Sequence, residues 1–147
     1  MSPDARRLDR FYGSARRWLG LVMAYRKVGE LAVREWGDPA EPGILLWPGM
    51  GFTSAYFAGS ASFLPGRSVG VDPPGWGRSP APSSYSYEHL VGLAVEAIRA
   101  CDCWAMVGHS LGGAIALGVA DDPPPGLRAV VLVDGGYLEP ADHVELG

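Results

Sequence analysis

The sequence predicts an α/β fold built on a doubly wound, mostly parallel sheet. Three observations point there. "WAMVG" and "RAVVLVD" are continuous apolar runs of strand length, the pattern of parallel strands buried on both faces. A segment of helical period precedes the first run and another helix-length segment separates the two, so strands alternate with helices as βαβ units require. Glycine and proline, 21 and 13 residues, cluster between these segments as punctuation and form no low-complexity tract.

The elements follow in order. Arg6, Arg7, Arg10, Arg16 and Arg17 precede the apolar stretch Trp18 to Tyr25, which is short, interrupted by Gly20 and without a small-residue cleavage site. This reads as an amphipathic lead helix over residues 1–24, not a signal peptide. The α/β unit then occupies 25–147. "YRKV" and "LAVREW" flank Gly29-Glu30 and predict a hairpin from Tyr25 to Trp36. "GILLWPG" gives a strand at Ile44 to Trp47, "TSAYFAGSASFL" has the length of a helix but few strong helix formers, and "SVGVD" ends a strand at Asp72. In "SYEHLVGLAVEAIRAC", Leu90, Leu93, Ala94, Ala97, Ile98 and Cys101 share one helix face, with Ser86 as N-cap and Glu88 in the first turn. Leu111 to Ala120 is the second helix, stopped at Asp122-Pro123.

Composition narrows the function. A chain of 147 residues, 48% hydrophobic, suits one core. The net charge of -4 supplies no basic surface for nucleic acid. No apolar run approaches the ~18 residues that span a bilayer, so a soluble, cytoplasmic protein is expected. Cys101 and Cys103 form a C-x-C pair that matches neither a zinc site nor a redox C-x-x-C, and read as reduced, packed thiols. No cofactor or metal is implied.

The chemistry concentrates in "AMVGHSLGGAIAL". Gly108-His109-Ser110-Leu111-Gly112 is a G-x-S-x-G segment, the pattern of a strand-to-helix turn that lifts a serine above the sheet. Gly66-Arg67-Ser68-Val69-Gly70 matches the same pattern, but its serine enters a strand and no helix can follow. Only Ser110 has strand, turn and helix in sequence. A helix beginning there points its N-terminal N–H groups and dipole at the reacting atom, so the Leu111 N–H is a candidate donor to an oxyanion. A glycine-rich turn that merely packs closely, or binds an anion, is the other reading.

Three motifs in order make the chain resemble the α/β-hydrolase fold family from about Tyr25 to Tyr137. "LLWPGMGFTS" is similar to the segment after the third strand, "VDPPGWGRSPAP" to the D-x-x-G-x-G-x-S turn after the fourth, and "VGHSLGGAIAL" to the nucleophile elbow. The resemblance implies a serine hydrolase of small esters, lactones or related acyl compounds, with Ser110 as nucleophile and the N–H groups of Met50 and Leu111 holding the oxyanion. Pro48 stands where the family usually has histidine. Asp72, Gly75 and Gly77 read as turn architecture. An aspartate at the elbow would suggest an epoxide hydrolase or haloalkane dehalogenase, and Ser110 argues against both.

The resemblance also implies an acid and a histidine later in the chain, whereas the sequence ends thirteen residues after Asp134. Asp134, at the end of the sixth strand, is the acid candidate. His89 reads as a solvated helix residue, His109 as a packing residue beside the serine, and His143 lies in a polar tail. No residue reads as a good general base. The chain is therefore expected to be the N-terminal half of such a domain, with the sheet cut after strand six. Its open edge, Arg128 to Asp134, would invite self-association. The alternative is a truncated or degenerate chain that catalyses nothing and serves, if at all, as an interaction module.

Overall fold

The computed structural model describes residues 25–135. The expected lead helix of residues 1–24 and the tail that holds His143 lie outside the described residues. Six strands form one sheet: β1 (Tyr25–Val28), β2 (Leu31–Trp36), β3 (Gly43–Trp47), β4 (Arg67–Asp72), β5 (Cys103–His109) and β6 (Ala129–Val133). Their spatial order is β1-β2-β4-β3-β5-β6. The predicted hairpin is present, pairing Tyr25 with Arg34 and Val28 with Leu31. β2 runs antiparallel to β4, while β4, β3, β5 and β6 are mutually parallel. The sheet is the mixed, mostly parallel sheet the sequence predicts.

Connection handedness decides what covers each face. Helix α1 (Tyr87–Ala100) carries the chain from β4 past β3 to β5, and helix α2 (Leu111–Asp121) carries it from β5 to β6. Both crossovers step in the same direction, so right-handed connections place both helices on one face. There Leu93, Ala97 and Ile98 of α1 and Ile115, Ala116 and Val119 of α2 close over Leu45, Val69, Val71 and Met106. Burying a side chain such as Ile98 contributes about 1.5–3 kcal/mol. The β3-to-β4 connection steps the opposite way and belongs to the other face, where Phe57 and Ala61 cover Trp36, Ile44 and Leu46. The helix-length "TSAYFAGSASFL" resolves into two 3-10 turns, Ser54–Phe57 and Ala61–Phe63. The Ser60 hydroxyl donates to the Phe57 carbonyl at 3.2 Å, a local bond that competes with helix continuation.

The helix ends follow local chemistry. Ser86 is extended (φ -61°, ψ 150°) and its hydroxyl accepts the His89 N–H, as an N-cap should. α2 ends because Asp122, before Pro123, is pushed out of the helical region to φ -137°, ψ 76°. Cys101 and Cys103 are free and buried, and burial pushes the Cys103 thiol up to about 12. Nearby, Glu35 pairs with Arg26 at 2.8 Å and with the buried Arg67 at 3.2 Å.

Candidate active site

The chain leaves β3 toward β4 and leaves β5 toward β6, in opposite directions. The crevice beyond the carboxyl ends of two such strands is where open α/β sheets bind ligands. Ser110 follows β5 at this switch point, and the 48–53 loop follows β3 beside it.

Ser110 has φ 52° and ψ -117°, a region that costs a residue with a Cβ on the order of 1–3 kcal/mol. Its neighbours impose that turn. A Cβ on Gly108 would run into the Gly112 carbonyl and lie 2.8 Å from the Gly113 nitrogen. A Cβ on Gly112 would strike the Trp47 carbonyl oxygen. Glycine at both offsets therefore lets α2 start immediately and press its first turn onto the end of β3. The Ser110 N–H donates to the Val133 carbonyl at 3.1 Å, and the Ser110 carbonyl accepts the Gly113 N–H at 2.8 Å. Ser110 itself is exposed. Ser68, by contrast, is fully buried in β4 and its hydroxyl reaches the Ala61 carbonyl.

The 48–53 loop is tied to the serine through Gly49. A Cβ there would stand 3.0 Å from Ser110 Cβ and 3.1 Å from His109 Nδ1, so the backbone passes between the two side chains. Phe52 N–H closes the turn onto the Gly49 carbonyl at 3.2 Å. Among the described residues, no hydrogen bond takes up the amide N–H of Met50 or of Leu111. Asp72 has the architectural place expected for it: its carboxylate, 1% exposed, accepts the N–H groups of Ser54 at 2.8 Å and Arg78 at 2.9 Å, joining this loop to the 73–79 turn.

The described histidines have other partners. His109 stacks on Tyr56, with centroids 4.8 Å apart and planes at 17°, and its Nδ1 is buried without a hydrogen bond. His89 is less solvated than its helix position suggested, because Nε2 meets Glu30 of the hairpin turn at 3.2 Å. Asp134 is exposed at the end of β6 with φ 47°, one residue beyond the carbonyl that receives the Ser110 N–H. Met50 is 70% exposed.

Sequence reasoning missed a ring cluster beside the serine. Phe52 lies 5.0 Å from Tyr56, and the Trp76 ring tip comes within 4.0 Å of where a Gly51 Cβ would be. The available signal was the absence of charge: neither "PGMGFTSAYF", a loop running into the first 3-10 turn, nor the turn "PPGWG" contains a charged residue.

The model of the alpha/beta hydrolase family matches residues 44–146. RutD of Klebsiella pneumoniae, provisionally named a carbamate hydrolase, is 32% identical over 111 residues, 71% of this chain and 41% of RutD. An esterase of Mycobacterium tuberculosis superposes with a TM-score of 0.69 at 25% identity, over 81% of this chain and 41% of its own. An esterase of Exiguobacterium antarcticum gives 0.62 at 25% identity, over 69% and 40%. The chain thus spans about two fifths of the length of these proteins.

Proposed function

The chain belongs to the alpha/beta hydrolase family, and from that premise we propose that it supplies the nucleophile and oxyanion site of a serine hydrolase acting on ester or related acyl substrates. One observation carries the reading: Ser110 occupies a strained turn between a buried strand and a helix N-terminus, with the Gly49 backbone packed against its side chain. Esterases among the structural relatives and a provisional carbamate hydrolase among the sequence relatives support acyl chemistry.

In the proposed reaction Ser110 Oγ forms a bond to the substrate carbonyl carbon as its proton passes to a base. The carbonyl π pair moves onto oxygen, where the N–H groups of Met50 and Leu111 and the α2 dipole stabilise the charge. Collapse expels the leaving group and leaves an acyl-serine for water to hydrolyse. His89 pairs with Glu30 and His109 stacks on Tyr56, and neither is assigned as the base. Asp134 is the acid candidate, since it ends the strand beside β5.

Labelling with a fluorophosphonate followed by peptide mapping tests the assignment. A single adduct on the peptide containing Ser110, lost in Ser110→Ala, is expected. An adduct on Ser68 would overturn it. No adduct, together with background hydrolysis of both p-nitrophenyl acetate and p-nitrophenyl 3-phenylpropanoate, would select the alternative, a folded chain that does not catalyse.

A further inference from the structure

The candidate site is flanked by a surface that a water-filled crevice for small polar acyl groups would not need. Phe52, Tyr56 and Trp76 are 47%, 46% and 44% exposed, and Met50 beside them is 70% exposed. The three rings lie close together, and Met50 is in the same loop as Phe52. The Phe52 and Tyr56 rings are 5.0 Å apart, the Trp76 ring tip lies 4.0 Å from where a Cβ on Gly51 would stand, and Tyr56 stacks on His109, whose ring and Ser110 flank Gly49. A contiguous exposed apolar patch of this kind marks a binding surface, whereas scattered single residues do not. The Arg78 guanidinium, two residues from Trp76, sits 4.0 Å over the Tyr25 ring, and the Asp72 carboxylate is 1% exposed. Tyr56 is held by stacking on His109 and Phe52 packs against Tyr56 at a tilt of 55°, so ordering these two rings costs little when a ligand arrives.

We propose that this shelf of Met50, Phe52, Tyr56 and Trp76 seats a bulky apolar or aryl group of the substrate while its carbonyl meets Ser110, so that the substrates are hydrophobic esters and not acetyl-sized ones. The proposal rests on Ser110 being the reacting group. A phenyl ring moved from water onto such a surface strengthens binding by tenfold or more if about half of its area is covered.

Saturation-transfer NMR titrations of the 147-residue chain test this with 2-phenylethylboronic acid, methylboronic acid and 3-phenylpropan-1-ol. The phenylethyl boronic acid is expected to bind at least about tenfold more tightly than the methyl one. Phe52→Ala and Trp76→Ala, both at half-exposed positions, should each cut that preference at least about threefold. Ser110→Ala should weaken both boronic acids and leave the alcohol unaffected. A preference below twofold, or one that survives in both shelf variants, would overturn the proposal through the shelf. Equal boronic acid affinity in Ser110→Ala would overturn it through the serine instead. A dimer by light scattering that Phe52→Ala dissolves would also overturn it, because a second chain would then occupy the shelf.

Discussion

Gly135 lies against the backbone of Ser110: a Cβ built on Gly135 would stand 2.5 Å from Ser110 Cα and 2.8 Å from its carbonyl oxygen. With the Ser110 N–H bonded to Val133, the turn after β6 supports the elbow from behind. The strained serine is thus held from three sides, by Gly49, by α2 and by residues 133–135.

A methyl group at 135 must displace the elbow or the turn. Gly135→Ala is expected to cost about 1–3 kcal/mol in denaturant unfolding. Gly108→Ala should cost at least as much, since its Cβ meets only backbone. The control is Gly92 in α1, where a Cβ meets nothing within 4 Å. Gly92→Ala should stabilise by about 0.5–1 kcal/mol through helix propensity and a restricted unfolded chain. Equal effects at 92 and 135 would contradict the close approach.

Strain at Ser110 predicts an inverse relation between stability and reactivity. With φ 52° and ψ -117°, the conformation suits glycine. Ser110→Gly should raise stability by about 1 kcal/mol, Ser110→Ala should change it little, and both should abolish fluorophosphonate labelling. Urea midpoints for the three chains check the order, and a destabilised Ser110→Gly would show that the turn is unstrained.

The buried thiols contribute to the alkaline pH dependence of stability. Cys103 has its folded value raised from 9.0 to about 12, mainly by desolvation, and Cys101 is shifted the same way. The unfolded thiol then ionises first, so this contribution is complete below pH 9 and is lost as pH rises from 9 toward 12. The slope can reach about 1.4 kcal/mol per pH unit for each thiol. Cys103→Ala should flatten the alkaline arm of a stability–pH curve, and iodoacetamide should modify the native chain far more slowly than the urea-unfolded one.

How much of this was legible depends on the range over which each feature is encoded. α1 and its Ser86 cap were legible because period and cap lie within one segment. The strand-to-helix turn at Ser110 was legible because close approach admits only glycine at 108 and 112. Strand order was not, since placing β3 between β4 and β5 depends on pairings such as Leu46 with Gly70 and Val107, far apart in the chain. Nor was the His89–Glu30 contact, 59 residues apart. The Phe52–Tyr56–Trp76 shelf has no period to betray it; only the missing charges in two loops hinted that they face something other than water.

The β6 edge carries the last prediction. Val130 and Leu132 pack toward the helices, but Val131 and Val133 on the opposite face are 48% and 43% exposed. Among the described residues β6 has a partner on one side only, β5. An apolar strand with free N–H and C=O groups templates pairing with another chain. Light scattering on the 147-residue chain should therefore give the mass of two or more chains, and Val131→Lys, which places a charge on the exposed face, should shift it toward monomer. Val130→Lys is the contrasting variant: its side chain packs toward the core, so it should unfold the chain instead of dispersing it. A monomer that melts cooperatively without any substitution would exclude self-association through this edge.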